Sequence, residues 1–331
     1  MNTWGCEAIC LSQPLHHMGE SRMISSNELQ TCIRVDKISM RHPGVVILTG
    51  PSSCGKGEVA AALCRVMSIA PTDHLSMGEI LRSSFQNAKS DPSYAKLLAE
   101  RYQISSDSNI FQCVDTSEDL TRKVKNYLPQ LEKYFARSDM SSFTSQLEWL
   151  EFCTMNGLLV PNRWTQNFIA AHIEHSAGLR DRPFILDGYP RTVAAAKHLL
   201  EFLRRLNIPV IKVLHLSISR QEMIQRARHR GRADDDEASL LSRFQFYIEN
   251  VQPSVDYLKM ELGSDAIVLI DAHQPVYIEK NGQKVLALKE SISNVVSAAL
   301  RGLGVPRVIL KDVLSTGLSP KESHRSESLN G

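Results

Sequence analysis

No stretch of this sequence stays apolar for the roughly eighteen residues that a membrane-spanning helix requires. The amino terminus also lacks the basic region and apolar run of a secretory signal. The formal net charge of the chain is only +2. Binding a polyanion such as nucleic acid requires a dense basic face, which a nearly balanced charge does not predict. We therefore expect a cytoplasmic protein that binds neither membranes nor nucleic acid.

Cysteine is scarce and irregularly spaced. The chain has 7 cysteines, an odd number without the regular spacing of a disulfide framework, so we expect free thiols in a reducing compartment. Cys6 and Cys10 are close together, but no second pair of ligands follows at zinc spacing. The cysteines thus predict neither disulfides nor a structural zinc site.

What the sequence does contain is a repeated pattern of apolar, β-branched runs separated by segments of helical composition. Such runs are typical of strands buried on both faces of a parallel sheet. Their alternation with helices predicts an α/β fold of three layers, with a central parallel sheet between helices. The runs occupy residues 45–49, 183–188, 209–218 and 266–271.

An interrupted helix is predicted between residues 236 and 260. Apolar residues recur there at three- and four-residue steps, and we expect Pro253 to bend or interrupt the helix. The apolar positions are Leu240, Phe244, Tyr247, Val251, Val255 and Leu258.

Two segments have the character of insertions. At about 83–150 we expect a helical insert with an apolar stripe that serves as packing surface. At about 276–288, Asn281 and Gly282 separate two alternating runs, which predicts a β-hairpin. The stripe consists of Leu120, Val124, Leu128, Leu131 and Phe135.

Both ends of the chain lack sustained periodicity. Residues 1–42 are predicted to be a poorly structured extension, although a translation start at Met40 would also explain their composition. The polar, serine-rich ending predicts a disordered tail over residues 304–331. The intervening residues 43–303 are expected to form one elaborated domain.

The segment GPSSCGKG, residues 50–57, lies between the first apolar run and a helical stretch. Glycines in such a loop let backbone N–H groups converge on phosphate oxygens, and a lysine reaches the terminal phosphates. Glycine turns also start helices for purely structural reasons, so the loop alone leaves that alternative open. The predicted phosphate-binding residues are Gly50, Ser52, Ser53, Cys54, Gly55, Lys56, Gly57 and Glu58.

Further motifs follow the loop in order. Together with the loop and Arg243, they resemble the motif series of adenylate kinases and related nucleoside monophosphate kinases. In that family glycine follows the lysine, so Gly57 agrees with the resemblance. The resemblance spans roughly residues 43–303 outside the inserts, and it implies a P-loop kinase fold with ATP as phosphoryl donor and Mg²⁺ as cofactor. The motifs are HLSMGEILR (74–82), GLLVP (157–161), FILDGYPRT (184–192) and RARHRGRADD (226–235).

The arginines in these motifs suit the chemistry that the resemblance implies. Anionic phosphates brought together repel one another, and the planar fork of arginine matches phosphate geometry. A solvated basic face is the alternative, although these arginines do not form a single charged run. By resemblance, Arg82 and Arg191 hold the acceptor monophosphate, and Arg228 is a surface residue. The arginines that act on the donor and the transferring group are Arg226, Arg230, Arg232 and Arg243.

The resemblance also assigns a metal-orienting residue, a lid and an acceptor site. Asp187 ends an apolar strand and resembles the acidic residue that orients Mg²⁺ through water, although it could instead cap the next turn. Asp234 and Asp235 either help to close a short lid at about 226–243 or offset a helix dipole. The acceptor-binding region is placed at 74–176. Its expected contacts are Ser76, Met77, Arg82, Leu159, Val160, Gly188, Arg191, Arg232 and Arg243, and the expected catalytic residues are Lys56, Arg191, Arg230, Arg232 and Arg243.

Three residues, Met77, Ala195 and Glu58, depart from the family pattern, and Cys54 leaves a further question open. Met77 and Ala195 replace a threonine and a glutamine that help to read an adenine acceptor, so specificity for AMP does not carry over. Glu58 replaces a threonine, and its carboxylate would repel bound phosphates unless it points outward or is paired. Cys54 is either an oxidation-sensitive thiol or a small residue tolerated in a tight loop.

These patterns predict ATP-dependent phosphoryl transfer to a nucleoside monophosphate by a monomeric enzyme, with the acceptor base undetermined. Two alternatives remain, namely a kinase of another small phosphorylated acceptor and a nucleotide-binding regulator that keeps the fold with little turnover. The retained arginines favour catalysis, because a sensor has no need for a complete transfer site.

Overall fold

The computed structural model describes residues 4–6, 38–40, 42–104, 132–133, 135–136, 145–155, 160, 162–230, 237–280 and 282–317. The strands are β1 (Trp4–Cys6), β2 (Ile38–Met40), β3 (Gly44–Thr49), β4 (His74–Ser76), β5 (Pro183–Asp187), β6 (Val210–Ser217), β7 (Ile267–Asp271), β8 (Tyr277–Lys280) and β9 (Gln283–Leu286).

The α-helices lie between these strands and after them. They are α1 (Lys56–Val66), α2 (Met77–Ser90), α3 (Pro92–Tyr102), α4 (Gln146–Met155), α5 (Asn162–His175), α6 (Val193–Arg205), α7 (Arg220–Arg230), α8 (Glu237–Phe246), α9 (Gln252–Leu262), α10 (Leu288–Gly302) and α11 (Arg307–Gly317). A π-helical turn, Tyr247–Val251, joins α8 to α9.

Five parallel strands form the central sheet in the order β4-β5-β3-β6-β7. This confirms the predicted α/β fold with a central parallel sheet. All of β3 is buried, as expected for an apolar strand that is covered on both faces. β4 and β5 lie on one side of β3, and β6 and β7 lie on its other side. β3 therefore marks the point where the strand order reverses. Ligands of such sheets bind outside the carboxyl ends of the strands at this reversal.

Alternate side chains of β3 supply two separate cores. Val45 and Ile47 pack with α2 to α6 and with Leu258 of α9 on one face of the sheet. Val46 and Leu48 pack with α1, α10 and α11 on the other face. This alternation follows from the two-residue side-chain period of a strand, and it produces the three-layer arrangement.

The region expected to carry the acceptor-side insert is helical where it is described. α2 continues across residue 83 to Ser90, and Asp91 caps α3 by accepting hydrogen bonds from the backbone N–H groups of Ser93 and Tyr94. Of the predicted apolar stripe, Phe135 is partly buried against the first core. Its other members, Leu120, Val124, Leu128 and Leu131, lie outside the described residues.

Both terminal predictions need correction. Ile38 is fully buried in the second core, and β2 pairs antiparallel with β1, so residues 38–40 are not part of a poorly structured extension. The tail predicted from residue 304 is wrong over α11, because Leu310 is only 6% exposed and packs in the same core. A few apolar residues within a polar segment were enough to attach each end to the sheet.

The predicted hairpin segment contains two antiparallel strands, β8 and β9, with Gly282 at positive φ in the turn. Asn281 lies outside the described residues. Within the described ranges, no helix is both long and apolar enough to cross a bilayer.

The packing of α11 gives a stability test. Replacing Leu310 by alanine removes a buried side chain and leaves a cavity, so we expect the free energy of unfolding to fall by about 2–4 kcal/mol. Val308 on the same helix is 84% exposed, so Val308→Ala serves as the control and should have little effect. Urea denaturation followed by circular dichroism measures both variants. Equal stabilities for the two variants would show that α11 does not contribute to the core.

Candidate active site

The carboxyl ends of the five central strands carry polar side chains, although the strand interiors are mostly apolar. We refer to these ends together as the carboxyl edge. In the hydrogen-bonded register, Asp187 lies beside Ser76 and beside Leu48, and Thr49 lies beside His215. The predicted phosphate loop begins directly after Thr49, so the chain direction alone brings it to the carboxyl edge. The last residues of the strands are Ser76, Asp187, Thr49, Ser217 and Asp271.

Glycine is required at the start of the loop. Gly50 has φ 144°, and a β-carbon there would lie 2.4 Å from the carbonyl oxygen of Leu216. Gly55 has φ 88° and immediately precedes α1, which exposes the backbone N–H groups of the first helical turn. A β-carbon at Gly57 would meet no atom within 4 Å. The loop therefore has the backbone geometry of an anion-binding turn at a helix amino terminus.

Lys56 folds back over this loop. Its Nζ donates hydrogen bonds to the carbonyl oxygens of Gly50 (3.1 Å) and Pro51 (2.7 Å), and it lies 3.6 Å from Cys54 Sγ. Two main-chain acceptors thus fix the position of the ammonium group above the turn. A cation held in this position can neutralise the charge of a phosphate bound to the loop.

The short side chains of the loop have different environments. Ser52 and Ser53 are partly buried, and Ser53 Oγ is buried without a hydrogen-bond partner. Cys54 is 2% exposed. Burial raises the pKa of the Cys54 thiol despite the opposing effect of Lys56. The structure therefore supports Cys54 as a small packing residue and contradicts the alternative of a reactive thiol.

Glu58 is exposed in the first turn of α1. A β-carbon built at Gly55 would lie 3.8 Å from Glu58 Oε2. The carboxylate therefore points toward the loop. In this position it interacts favourably with the helix dipole but adds negative charge beside the phosphate loop.

Asp187 has one satisfied and one unsatisfied carboxylate oxygen. Its Oδ2 lies 3.3 Å from His74 Nε2, whereas Oδ1 is buried without a hydrogen-bond partner. Mg²⁺ in phosphate sites commonly keeps several waters and uses one or two protein carboxylates, so an oxygen left free at the carboxyl edge suits it. Asp187 is therefore the residue of this edge that could hold Mg²⁺. The described residues contain no cluster of three or more histidine, cysteine or acidic ligands.

Arg191 lies within electrostatic range of both Asp187 and Arg243. Arg191 Nε donates to the carbonyl oxygen of Gly188 (3.0 Å), and Gly188 has the positive φ of 76° that this turn requires. Although solvent reaches the Arg191 side chain, crowding by protein atoms lowers the pKa of its guanidinium; Asp187 opposes this effect and Arg243 adds to it. Two predicted catalytic arginines, Arg191 after β5 and Arg243 on α8, therefore lie within electrostatic range of each other.

The acceptor-side residues lie at the start of α2. Ser76 immediately precedes the helix and has an extended backbone conformation. Arg82 is exposed, and a β-carbon built at Gly78 would lie only 3.2 Å from its Nη1. Gly78 thus leaves space for the guanidinium to lie along the helix. Met77 and Ala195 are 7% and 1% exposed, so the positions that carry polar base contacts in the family are buried and apolar here.

The remaining predicted site residues are only partly described. Arg226 donates to Glu222 Oε1 (2.7 Å) and to the carbonyl oxygen of Ala272 (3.0 Å), which places its guanidinium beyond the carboxyl end of β7. Arg230 is the last residue of α7, and the structure does not describe its side chain. Arg232, Asp234 and Asp235 of the predicted lid lie outside the described residues. Val160 is partly buried. Leu159 lies outside the described residues.

Sequence reasoning missed three residues beside this site. His74 contacts Asp187, and buried His215 contacts Tyr247 with Nε2 and Oη 2.9 Å apart. For His215 the available signal was a single histidine within the mostly apolar run 209–218. Tyr247 was recognised only as an apolar position of a helix, because its hydroxyl partner is 32 residues away in sequence.

Comparison with known proteins supports the motif analysis. The adenylate kinase family model matches residues 133–262, which include Asp187, Arg191 and Arg243. Adenylate kinases from Mycobacterium ulcerans and Mycobacterium marinum are each 37% identical over 119 residues, 35% of this chain and 63% of theirs. This chain therefore spans less than two thirds of those two relatives.

A longer match is weaker in identity. The adenylate kinase of Mycobacterium sp. strain MCS is 26% identical over 227 residues, which are 68% of this chain and 92% of that protein. Together the matches confirm the resemblance to adenylate kinases that the motif series predicted.

The environment of Cys54 predicts low thiol reactivity. In the folded protein, alkylation of Cys54 by N-ethylmaleimide should be roughly tenfold or more slower than in the urea-unfolded chain, because the thiol is buried and its pKa is raised. Mass spectrometry of the peptide that contains Cys54 measures the rate. Similar rates in both states would show that the thiol is exposed and activated.

Proposed function

We propose that this chain, a relative of the adenylate kinases, transfers the terminal phosphoryl group of ATP to the phosphate of a nucleoside monophosphate. The observation that carries the proposal is the convergence of a glycine-rich anion-binding turn, Lys56, Asp187, Arg191 and Arg243 at the carboxyl edge. A glycine turn that only started a helix would not require a lysine, an aspartate and two arginines beside it.

In this proposal the donor phosphates lie on the loop at the amino terminus of α1. Lys56 Nζ is held at the turn by the carbonyl oxygens of Gly50 and Pro51. When ATP binds, the ammonium group exchanges one of these carbonyl oxygens for a phosphate oxygen. Arg226 lies beyond β7 and contributes on the donor side. Magnesium, when bound through Asp187, neutralises negative charge on the donor phosphates.

The acceptor phosphate is placed between Arg82 and Arg191. Its oxygen is already ionised near neutral pH, so the reaction needs no general base. The oxygen attacks the terminal phosphorus of ATP, the bond to the bridging oxygen breaks, and the products are ADP and a nucleoside diphosphate. Rate enhancement comes from alignment and from neutralisation of charge by Arg191 and Arg243, together with the lid arginines Arg230 and Arg232.

The acceptor base is not specified by polar side chains at the positions that the family uses. Met77 is buried, and the backbone N–H of Ala195 is already bonded to Thr192 Oγ1 at 3.1 Å. A base would meet nonpolar side chains there, so discrimination between bases is expected to be modest. The same observation supports the second candidate, a kinase of another small phosphorylated acceptor.

Glu58 supports a third candidate, a nucleotide-binding regulator with little turnover. Its carboxylate leans toward the loop, where it opposes binding of the donor phosphates. The electrostatic interactions of Arg191 with Asp187 and with Arg243 support catalysis over this alternative.

An activity panel separates the nucleoside monophosphate kinase from the two other candidates. Purified protein is incubated with Mg²⁺, ATP or GTP, and each of AMP, CMP, UMP, GMP and their deoxy forms, and nucleoside diphosphate is measured. We expect transfer to at least one monophosphate. Donor binding without transfer to any of them would instead indicate a regulator or a kinase with a different acceptor.

Two substitutions test the assigned roles. Lys56→Ala and Arg191→Ala should each lower kcat by roughly a hundredfold or more, because each removes a positive charge from the transferring group. Arg228→Ala is the matched control, since Arg228 pairs with Glu237 at the surface and should leave kcat unchanged. Melting temperatures show whether each variant is folded. Normal turnover in a folded Lys56→Ala or Arg191→Ala variant would mean that the roles are misassigned.

Glu58 gives a prediction about donor affinity. Glu58→Thr and Glu58→Gln should both tighten ATP binding severalfold at low ionic strength, and the gain should shrink as salt screens the charge. Titration calorimetry measures the affinity. Glu290→Gln is the control, because Glu290 is also an exposed acidic residue in a first helical turn, on α10. Unchanged donor affinity in both Glu58 variants would refute the repulsion.

A further inference from the structure

The helix that carries Arg243 is interrupted just after that residue. α8 ends at Phe246, and the π-turn Tyr247–Val251 closes with a hydrogen bond from the backbone N–H of Gln252 to the carbonyl oxygen of Tyr247. Pro253 explains the wide turn, because it has no N–H and its ring would collide with a carbonyl one turn earlier in a regular helix. Such insertions often occur at functional sites and allow one helical segment to turn relative to the next.

The first residue of this turn is attached to the central sheet by a buried histidine. The His215 and Tyr247 rings stack with centroids 5.9 Å apart and planes 6° apart, and Nε2 lies 2.9 Å from the tyrosine Oη. Both residues are only 5% exposed. The Gln252 amide donates to the same Oη at 3.5 Å, which leaves the hydroxyl hydrogen for His215 Nε2.

His215 can accept this hydrogen bond because it is neutral at ordinary pH. Burial, and secondly the charge of Lys56, lower its pKa to about 4, whereas Asp256 of α9 opposes the shift. The histidine therefore lies within electrostatic range of the phosphate-loop lysine. Its second ring nitrogen, Nδ1, is buried without a hydrogen-bond partner. A nonpolar residue would avoid that cost, so the contact with Tyr247 is the interaction that His215 contributes.

The position of Tyr247 relative to Arg243 links this contact to the proposed transfer site. The two residues are four apart along continuous helical backbone, so they lie one above the other on the same side of the helix. α8 also packs against α7 through a small cluster of Met223, Ala227 and Leu240. Tyr247 adds a direct connection between the π-turn that follows α8 and β6.

We propose that His215 is a positioning residue: through its hydrogen bond and ring stack with Tyr247, it fixes the π-turn and thereby holds Arg243 at the phosphoryl-transfer site. The inference rests on the proposed function for its effect on turnover. The link between His215 and the π-turn is independent of any activity.

Steady-state kinetics and hydrogen exchange test the proposal together. His215→Phe keeps an aromatic ring but removes the acceptor, and Tyr247→Phe removes the hydroxyl. Each should lower kcat by about tenfold to a hundredfold with little change in the KM for ATP, because Arg243 is misplaced while the phosphate loop is intact. The double variant should be no worse than the single ones, since both break one contact. His215→Gln, which offers an amide oxygen to the hydroxyl, should recover part of the loss.

Amide hydrogen exchange of the nucleotide-free protein provides the readout that needs no turnover. Residues 241–251 should exchange faster in His215→Phe and Tyr247→Phe than in the wild type. His198→Phe is the matched control, because His198 also stacks on an aromatic ring, Phe202 on α6, with planes 9° apart. It should change neither kcat nor exchange of residues 241–251.

The possible failures are distinguishable. If the wild type transfers no phosphoryl group but exchange increases as expected, the proposed function fails and the His215 link stands. Unchanged exchange of residues 241–251 in folded variants, or additive losses of kcat in the double variant, would overturn the positioning role. Should His215→Phe fail to fold, Tyr247→Phe and His215→Gln carry the same comparison.

Discussion

Mutual repulsion between cations is the constraint that the candidate active site must overcome. Lys56, Arg191 and Arg243 are brought to one edge of the sheet. Desolvation lowers the pKa of both Arg191 and His215, and a neighbouring cation adds to each shift, Arg243 for Arg191 and Lys56 for His215. Main-chain carbonyls offset part of this cost, since Gly50 and Pro51 accept from Lys56, and Gly188 accepts from Arg191. Asp187 supplies the opposite charge. We therefore expect such a site to favour a polyanion, because phosphate oxygens would relieve the repulsion.

The scaffold explains why these groups can be held so close together. Parallel strands end at the same edge, and the reversal of chain direction at β3 places the loop before α1 beside the end of β5. The buried rows on both faces of β3 hold this geometry rigidly. Arg243 is different, because it comes from a helix attached through a π-turn. Its position therefore depends on side-chain contacts such as that of Tyr247 with His215.

Sequence reasoning reached the parallel sheet because its signal is local. Each buried strand is a run of β-branched residues, and the phosphate loop has its own glycine spacing. β4 was missed because it has three residues and depends on pairing with β5. The ends of the chain were misjudged because Ile38 and Leu310 are isolated apolar residues, whose burial depends on tertiary packing and not on periodicity.

The site itself could be predicted where residue type and chemistry coincide. Lysine and arginine at motif positions are visible in the sequence, whereas the contacts of His74 with Asp187 and of His215 with Tyr247 join residues that are far apart in the chain. The burial of Cys54 could not be read from the sequence either. A thiol beside a lysine and a helix amino terminus suggests a low pKa, but removal from water outweighs both effects.

The central claim is that one phosphate chain can contact the loop and the arginines at the same time. A crystal structure of the protein with Mg²⁺ and two nucleosides joined by five phosphates tests it most directly. The account predicts phosphate oxygens within hydrogen-bonding distance of Lys56 Nζ and of the Arg191 and Arg243 guanidinium groups in a single complex. A phosphate chain bound elsewhere, or one that reaches the loop while Arg191 and Arg243 stay apart from it, would contradict the account.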